Sequence, residues 1–306
     1  MIAAVLGAGG AIGSHVVEAL LARGYSVRAV TREPVTVPAS VQPCVADLRD
    51  TRALTAALLG SDVVVHAAQP AYTRWAAQFP SLTAGIADAA EGKRLVFVDN
   101  LYAYGPVQGP LHERLPALAT DVMGKVRAAM AEDLLRRHSD GRIELVIGRA
   151  SDYFGARGLN SAMGETVVPR ALQGQSVRVV GRSDVQHSWS YLPDVGRSVA
   201  ALAQAPAGQI FHLPVTATCT QRELASAFAR AAGHESAQVI ALPLSMHRMV
   251  ARFHPMLREL LGTRYQFAEP FVVDDSRFRR EVGHVEITPL QKAAESTVTW
   301  FRQRPL

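Results

Sequence analysis

The sequence is poor in lysine, in cysteine and in long apolar runs, and each shortage argues against a class of protein. Only three of its 306 residues are lysines, so its net charge of +5 comes mainly from arginines. These arginines are scattered and form no basic stripe, which argues against a nucleic-acid partner. No apolar run approaches the roughly 18 residues of a membrane span, and no basic segment precedes the apolar N-terminus. We therefore expect a cytoplasmic protein without a membrane partner.

The two cysteines, Cys44 and Cys219, lie far apart and have no metal-ligand spacing. His247, His254 and His284 are dispersed as well. Structural zinc sites need such residues in closely spaced pairs. We therefore predict no metal site.

The arrangement of the chain changes near residue 155. Before that point, short apolar runs alternate with helical segments, which predicts parallel βαβ units and a Rossmann-like doubly wound α/β fold. After it, the segments are shorter and mixed, which favours a smaller, C-terminal-weighted substrate cap. We predict a core at residues 1–160 with a return segment at about 182–213, and a cap at 161–181 and 214–306.

Three glycines at intervals of three follow the first predicted strand. In the stretch LGAGGAIG, they stand where the strand ends and the first helix begins. Such a loop lets the backbone approach a pyrophosphate, which is then stabilised by free N–H groups and by the helix dipole. We predict that the phosphates are bound by seven consecutive residues: Gly7, Ala8, Gly9, Gly10, Ala11, Ile12 and Gly13. The alternative is a glycine-rich turn without a ligand.

The end of the second predicted strand bears on the type of cofactor. An acid there would hold a ribose 2′-hydroxyl, whereas an arginine accommodates a 2′-phosphate. This chain has Thr31 and Arg32, and its first acid is Glu33. We therefore predict NADP(H) as the preferred cofactor. Glu33 leaves NAD open, and Arg32 could be one surface arginine among many.

Four further segments, taken with the glycine loop, resemble one enzyme family. They are Asp47-Leu48, His66-Ala67-Ala68, GRASDYFGARG from Gly148, and HSWSYLPDVGRSVAAL from His187. Together they are similar to the extended branch of the short-chain dehydrogenase/reductases, the NAD-dependent epimerase/dehydratase group, over nearly the whole chain. The last two segments resemble the family patterns Arg-Tyr-Phe-Asn-x-Tyr-Gly-Pro-Gly and Arg-x-x-x-Tyr-Val-x-Asp-Val-Ala.

The resemblance implies a cofactor wall and a homodimer. Ala67 and Ala68 would form this wall, Asp47 would be the acid that contacts the adenine, and Leu48, Ala150 and Ser151 would be further cofactor-binding residues. His66 would belong to this wall or be buried structure.

The sequence departs from the family at the positions of the residues that carry out the family's reaction. The family hydroxyl that ends strand five corresponds here to Asn100. The family pair Tyr-x-x-x-Lys is missing, because the residue four before Lys125 is Asp121 and no tyrosine has a lysine four residues later.

Three interpretations of the missing pair remain open. A phenol, Tyr102 or Tyr153, could donate the proton, unless both only pack or line the substrate. A carboxylate, Asp121 or Asp99, could act as a base, although Asp121 could instead cap a helix. The chain could also bind a dinucleotide without transferring hydride.

We expect an NADP(H)-preferring oxidoreductase or epimerase-type enzyme that acts on a small carbonyl or hydroxyl compound. Asn100 would orient the substrate oxygen and Lys125 would anchor the ribose. We also expect both residues to contact the cofactor. His187 is a further candidate acid, and three arginines could bind a substrate anion: Arg149, Arg157 and Arg170. The alternative is a non-catalytic redox sensor or a non-redox enzyme on the same fold.

Overall fold

The computed structural model describes residues 1–242, 252 and 261–304. Its strands are β1 (Ile2–Leu6), β2 (Ser26–Thr31), β3 (Val41–Val45), β4 (Val63–His66), β5 (Arg94–Asn100), β6 (Glu144–Ala150), β7 (Tyr153–Phe154), β8 (Val177–Val180), β9 (Gln186–Tyr191), β10 (Gln209–His212), β11 (Ala217–Thr220) and β12 (Val239–Leu242). Its helices are α1 (Ala11–Ala22), α2 (Thr51–Leu58), α3 (Trp75–Ala89), α4 (Val122–Ser139), α5 (Val168–Leu172), α6 (Leu192–Leu202), α7 (Gln221–Ala231), α8 (Ser276–Glu281) and α9 (Leu290–Gln303).

Seven strands form the central sheet in the order β10-β6-β5-β4-β1-β2-β3, and every pair is parallel. Side chains alternate between its two faces, as the pleat requires. Ala3 and Val5 of β1 belong to the apolar cluster that includes α1 and α6, whereas Ala4 and Leu6 belong to the cluster that includes α2, α3 and α4. This confirms the predicted doubly wound α/β fold.

A smaller region carries two short sheets, β11-β9-β7 and β12-β8. Its apolar cluster joins β9 to α5, α7 and α9. The predicted return segment is divided between the two regions, because β9 lies in the small sheet whereas α6 and β10 belong to the core. α8 also packs on the core, where the rings of Phe211 and Phe278 lie 6.3 Å apart.

The parallel sheet brings the ends of its strands to one edge. β5 and β6 run in register so that Asp99 lies beside Arg149 and Asn100 beside Ala150. Polar residues that follow these strands are therefore gathered in one place. Within the described part of the chain, no helix is long and apolar enough to cross a bilayer.

Candidate active site

A cleft of about 930 Å³ lies beyond the carboxyl ends of the central strands. This volume is near the upper end of the range for small-molecule sites. The glycine loop lines one part, and Gln221 and Phe267 of the smaller region line another. The cleft therefore joins the two regions in which cofactor and substrate were predicted to bind.

The glycine loop has the close backbone packing that a dinucleotide site requires. Gly7 has a φ of +81°, and a Cβ on it would lie 2.8 Å from the backbone of Ala68. A Cβ on Gly13 would lie 2.1 Å from the Gly7 carbonyl oxygen. The cleft is lined by Gly7, Gly10, Ala11 and Ile12, whereas Ala8, Gly9 and Gly13 are not among its lining residues. Since α1 begins at Ala11, the unpaired N–H groups of its first turn lie beside the cleft, and the loop fits a pyrophosphate.

Two arginines line the part of the cleft beyond the glycine loop. Arg32 lines it with a side chain that is 76% exposed, and Asp47, Leu48 and Arg49 lie nearby. Arg49 binds both Asp47 oxygens, with Nη2 to Oδ2 at 2.6 Å and Nε to Oδ1 at 3.0 Å. Hydrogen bonds from Arg49 lower the pKa of Asp47 to about 2. Thr31 also lines the cleft, and its hydroxyl donates to the Glu33 carbonyl oxygen at 2.7 Å.

Arg49 is a residue that the sequence interpretation missed. Its position two residues after Asp47 was visible, but nothing in the sequence showed which way its side chain would point. The bidentate contact with Asp47 holds its guanidinium at the edge of the cleft.

Asn100 lies at the opposite part of the cleft, where β5 ends. Its Oδ1 accepts a hydrogen bond from the backbone N–H of Tyr102 at 3.1 Å. This contact turns the amide NH₂ toward other partners, since each amide has one acceptor and two donor hydrogens. The cleft is also lined by four residues that were predicted to bind the cofactor: Ala67, Ala68, Ala150 and Ser151.

Three phenols line the same part of the cleft: Tyr72, Tyr102 and Tyr153. Burial raises the pKa of each of them above its usual value. Tyr72 was not predicted. It is positioned by stacking on Trp75, with ring centroids 4.6 Å apart. All three phenols are therefore protonated at neutral pH.

The structure does not bring Lys125 or Asp121 into the cleft. Asp121 is the N-cap of α4, and its Oδ1 accepts from the Gly124 N–H at 3.0 Å. Lys125 is exposed. Residues two apart on a helix point about 200° apart, so the inward side chain here is Arg127. Asp121 thus has the helix-capping role that the sequence left open, and Arg127 rather than Lys125 lines the cleft.

Arg127 is part of a buried ion cluster with Asp99 and Arg149. Its Nη1 lies 3.2 Å from Asp99 Oδ1, and Arg149 Nε lies 3.0 Å from Asp99 Oδ2. Its guanidinium carbon lies 4.3 Å from the centroid of the Trp75 ring. Because both carboxylate oxygens of Asp99 are bound to guanidinium groups, Asp99 is not placed to act as a base.

The other predicted basic residues lie outside the cleft lining. Arg149 is buried against Asp99, Arg157 is exposed with a φ of +66°, and Arg170 donates to the Ser176 carbonyl oxygen at 2.6 Å. Arg178, which lies in β8, and Arg264 do line the cleft.

His66 and His187 are both buried. Nε2 of His66 lies 3.2 Å from the Thr83 hydroxyl, and burial lowers the pKa of His66 to about 3, so it is a neutral structural residue. Nε2 of His187 lies 2.9 Å from Oδ2 of Asp152, which lines the cleft.

His247 and His254 lie outside the described residues. The described ones contain no group of His, Cys, Asp or Glu that could hold a metal ion.

Solved structures of other proteins share the fold described above. UDP-N-acetylglucosamine 4-epimerase from Bacillus cereus aligns with a TM-score of 0.79 and 18% identity over 100% of this chain and 98% of that chain. A dTDP-glucose 4,6-dehydratase double mutant from Streptomyces venezuelae, with NAD bound, aligns with a TM-score of 0.80 and 22% identity over 99% and 97%. UDP-glucose 4-epimerase from Thermus thermophilus, in complex with NAD, gives 0.77 and 22% over 99% of both chains. At these identities the likeness shows the fold.

No curated protein matches the sequence. The family model described as NAD dependent epimerase/dehydratase family matches residues 3–213, which is more than half of the chain. The chain therefore belongs to the NAD dependent epimerase/dehydratase family.

Proposed function

We propose that the protein is an NADPH-preferring reductase of a small carbonyl compound. The observation that carries this proposal is that a single cleft contains the glycine loop, two arginines beyond it, and the Asn100 amide beside three protonated phenols. In this proposal the loop and the two arginines would bind the dinucleotide, and Asn100 and the phenols would contact the substrate.

The preference for NADPH rests on Arg32 and Arg49. A guanidinium binds a phosphate through two parallel N–H groups, and the 2′-phosphate distinguishes NADPH from NADH. Arg49 also neutralises Asp47, whose carboxylate would otherwise repel that phosphate. Glu33 lies 3.8 Å from Arg32 and keeps NADH as the competing cofactor.

The state of the phenols favours reduction. When bound, NADPH supplies a hydride to the carbonyl carbon, and the oxygen then needs a proton. Tyr153 is protonated at neutral pH because burial raises its pKa, and it can give its proton to an alkoxide, which is the stronger base. The Asn100 amide donates to the same oxygen and orients it.

Arg127 supplies the positive charge that the missing lysine would have supplied. It lies four residues after Met123, so the spacing of the absent pair is kept with Met123 in the tyrosine position. Its Nε has no hydrogen-bond partner among the described residues and is free to bind a ribose hydroxyl.

The test is a panel of aldehydes and ketones with NADPH, in which cofactor oxidation is followed by absorbance. We expect turnover with at least one carbonyl class, and we expect Asn100→Ala and Tyr153→Phe each to lower kcat by on the order of 100-fold. Tyr25→Phe is the matched control, because Tyr25 is buried in the core away from the cleft. Tight NADPH binding without turnover on any carbonyl would favour the non-catalytic sensor instead.

A further inference from the structure

We infer that Asp152 and His187 share one proton and supply it to the phenols of the cleft. This inference rests on the proposed reduction, which consumes one proton per turnover. It assigns that proton to His187 and to Asp152, which precedes Tyr153 in the chain and lines the cleft with it.

The two ring nitrogens of His187 have different partners. Nδ1 lies 3.1 Å from the backbone carbonyl oxygen of Gln266, and Nε2 lies 2.9 Å from Oδ2 of Asp152. A carbonyl oxygen can only accept a hydrogen bond, so Nδ1 carries a hydrogen. A neutral imidazole has only one N–H, which leaves Nε2 without one.

Nε2 and Asp152 therefore need a further proton between them. Either His187 is an imidazolium and Asp152 is ionised, or His187 is neutral and Asp152 is a carboxylic acid that donates to Nε2. These two forms contain the same number of protons. An ionised Asp152 facing an unprotonated Nε2 would place two lone pairs 2.9 Å apart.

The burial of the two side chains determines which of them can pass the shared proton to the cleft. The His187 side chain is 1% exposed and is packed against three rings: Trp189 at 4.3 Å, Phe267 at 5.0 Å and Phe271 at 5.2 Å between centroids. The Asp152 side chain is 20% exposed and lines the cleft. Asp152 is therefore the member of the pair from which the shared proton can pass into the cleft.

Asp152 is also the carboxylate that the phenols have in common. When ionised, Asp152 adds to the effect of burial in raising the pKa of all three cleft phenols, Tyr72, Tyr102 and Tyr153, and of Tyr265, which is not among the residues that line the cleft. Arg127 opposes that effect at Tyr72 and Tyr153. Asp152 thus interacts with His187 and with these phenols, and Arg127 acts on two of the same phenols.

The sequence offers independent support. Asp152 stands where the pattern that the segment resembles has asparagine, and His187 stands where the second pattern has arginine. These two departures lie more than thirty residues apart in the chain and contact each other directly. Only the pair as found here can carry a transferable proton, because an amide and a guanidinium do not titrate near neutral pH.

Protons are conserved in the proposed transfer from the pair to the substrate. Tyr153 gives its hydroxyl proton to the alkoxide oxygen, which becomes the alcohol. The resulting phenolate takes the shared proton from Asp152, which leaves an ionised Asp152 and a neutral His187 that keeps its Nδ1–H. Water returns one proton to the pair before the next turnover.

The first test is NMR of the full chain with ¹⁵N-labelled histidine and ¹³C-labelled aspartate, with and without NADPH. At neutral pH we expect either an imidazolium with an ionised Asp152 or a neutral imidazole with a protonated Asp152. A neutral His187 together with an ionised Asp152 would overturn the inference. In Asp152→Asn we expect a neutral His187, whereas Asp184→Asn, at an exposed pair with Arg182, should leave the His187 signals unchanged.

The second test is the pH dependence of carbonyl reduction. Turnover of the unaltered enzyme should fall as the pH rises through the value at which the pair loses its proton. Asp152→Asn should lower kcat at neutral pH by about 100-fold and abolish that dependence, with the NADPH Kd within about twofold. An unchanged kcat in Asp152→Asn would contradict the delivery of the proton. If no carbonyl were reduced by any form, the proposed reduction would fail, and the NMR result would still decide whether the pair shares a proton.

Discussion

The Asp99 carboxylate accepts a hydrogen bond from Nε of Arg149 at 3.0 Å, and the two side chains are only 0% and 4% exposed. Arg127 binds the other carboxylate oxygen at 3.2 Å. The carboxylate therefore lies between two cations at the end of β5, next to Asn100. Charges buried in this way stabilise the fold only as long as all of them are present.

Removal of the Asp99 charge should strongly destabilise the fold. Asp99→Asn leaves two buried guanidinium groups with a neutral partner, and we expect the free energy of unfolding to fall by about 3–5 kcal/mol. The measurement is urea unfolding followed by circular dichroism. Asp88→Asn is the control, because Asp88 also pairs with two arginines, Arg137 and Arg142, but is 52% exposed. There we expect a change within about 1 kcal/mol, and equal losses in both variants would contradict this account.

Gly13→Ala should disrupt cofactor binding. The added methyl would lie 2.1 Å from the Gly7 carbonyl oxygen, so the loop and the start of α1 would have to separate. We expect NADPH affinity to fall by at least 10-fold, measured by calorimetry. Gly85→Ala is the control, because Gly85 lies inside α3 and a Cβ added there would have nothing within 4 Å beyond its own helix. It should bind NADPH normally and gain up to about 1 kcal/mol of stability, as alanine favours helices.

His212 should make the stability depend on pH. Burial, followed by the charge of Arg149, lowers the pKa of His212 to about 3 from its usual value of 6.5. Between these values the unfolded chain binds a proton that the folded chain excludes. The free energy of unfolding should therefore fall as the pH drops below 6.5, with a slope that approaches about 1.4 kcal/mol per pH unit from this residue.

His212→Gln isolates this contribution, since His66 and the other titrating groups remain in the variant. Urea unfolding between about pH 7 and pH 5 should give a shallower slope in the variant by that amount. Parallel slopes would show that His212 is not held neutral in the folded protein.

Substitutions of Lys125 and of Arg127 should have very different effects on NADPH affinity. Lys125 is exposed on the outer face of α4, so Lys125→Ala should leave the NADPH Kd within about twofold. Arg127→Lys keeps the charge but loses the planar donors of the guanidinium, and we expect NADPH affinity to fall by about 10-fold. Calorimetric titration measures both. A larger effect at Lys125 than at Arg127 would restore the role that the sequence suggested for the lysine.

The sequence predicted the doubly wound sheet and the glycine loop because both depend on local patterns. Alternating strands and helices determine the parallel sheet, and Gly7 and Gly13 are needed wherever the backbone passes this closely to itself. The family resemblance also follows from short segments that can be compared directly.

The sequence alone could not show which residues of α4 point toward the sheet. Lys125 and Arg127 are both basic, and only the packing of the helix on the sheet decides which of them points toward Asp99. The contacts of Arg49 and the pairing of Asp152 with His187 depend on side chains that are distant or variable in direction. Spacing in the sequence carries no information about them.

The proposed preference for NADPH depends on Arg32 and Arg49. The most direct measurement is calorimetric titration of the protein with NADPH and with NADH, together with Arg32→Glu and Arg49→Gln. Arg23→Glu, at the exposed end of α1, is the charge-matched control for Arg32→Glu. We expect tighter binding of NADPH than of NADH, an approximately 10-fold loss of NADPH affinity in each cleft variant, and little change in the control. Equal affinities for both cofactors, with NADPH binding unaffected by either variant, would contradict the account.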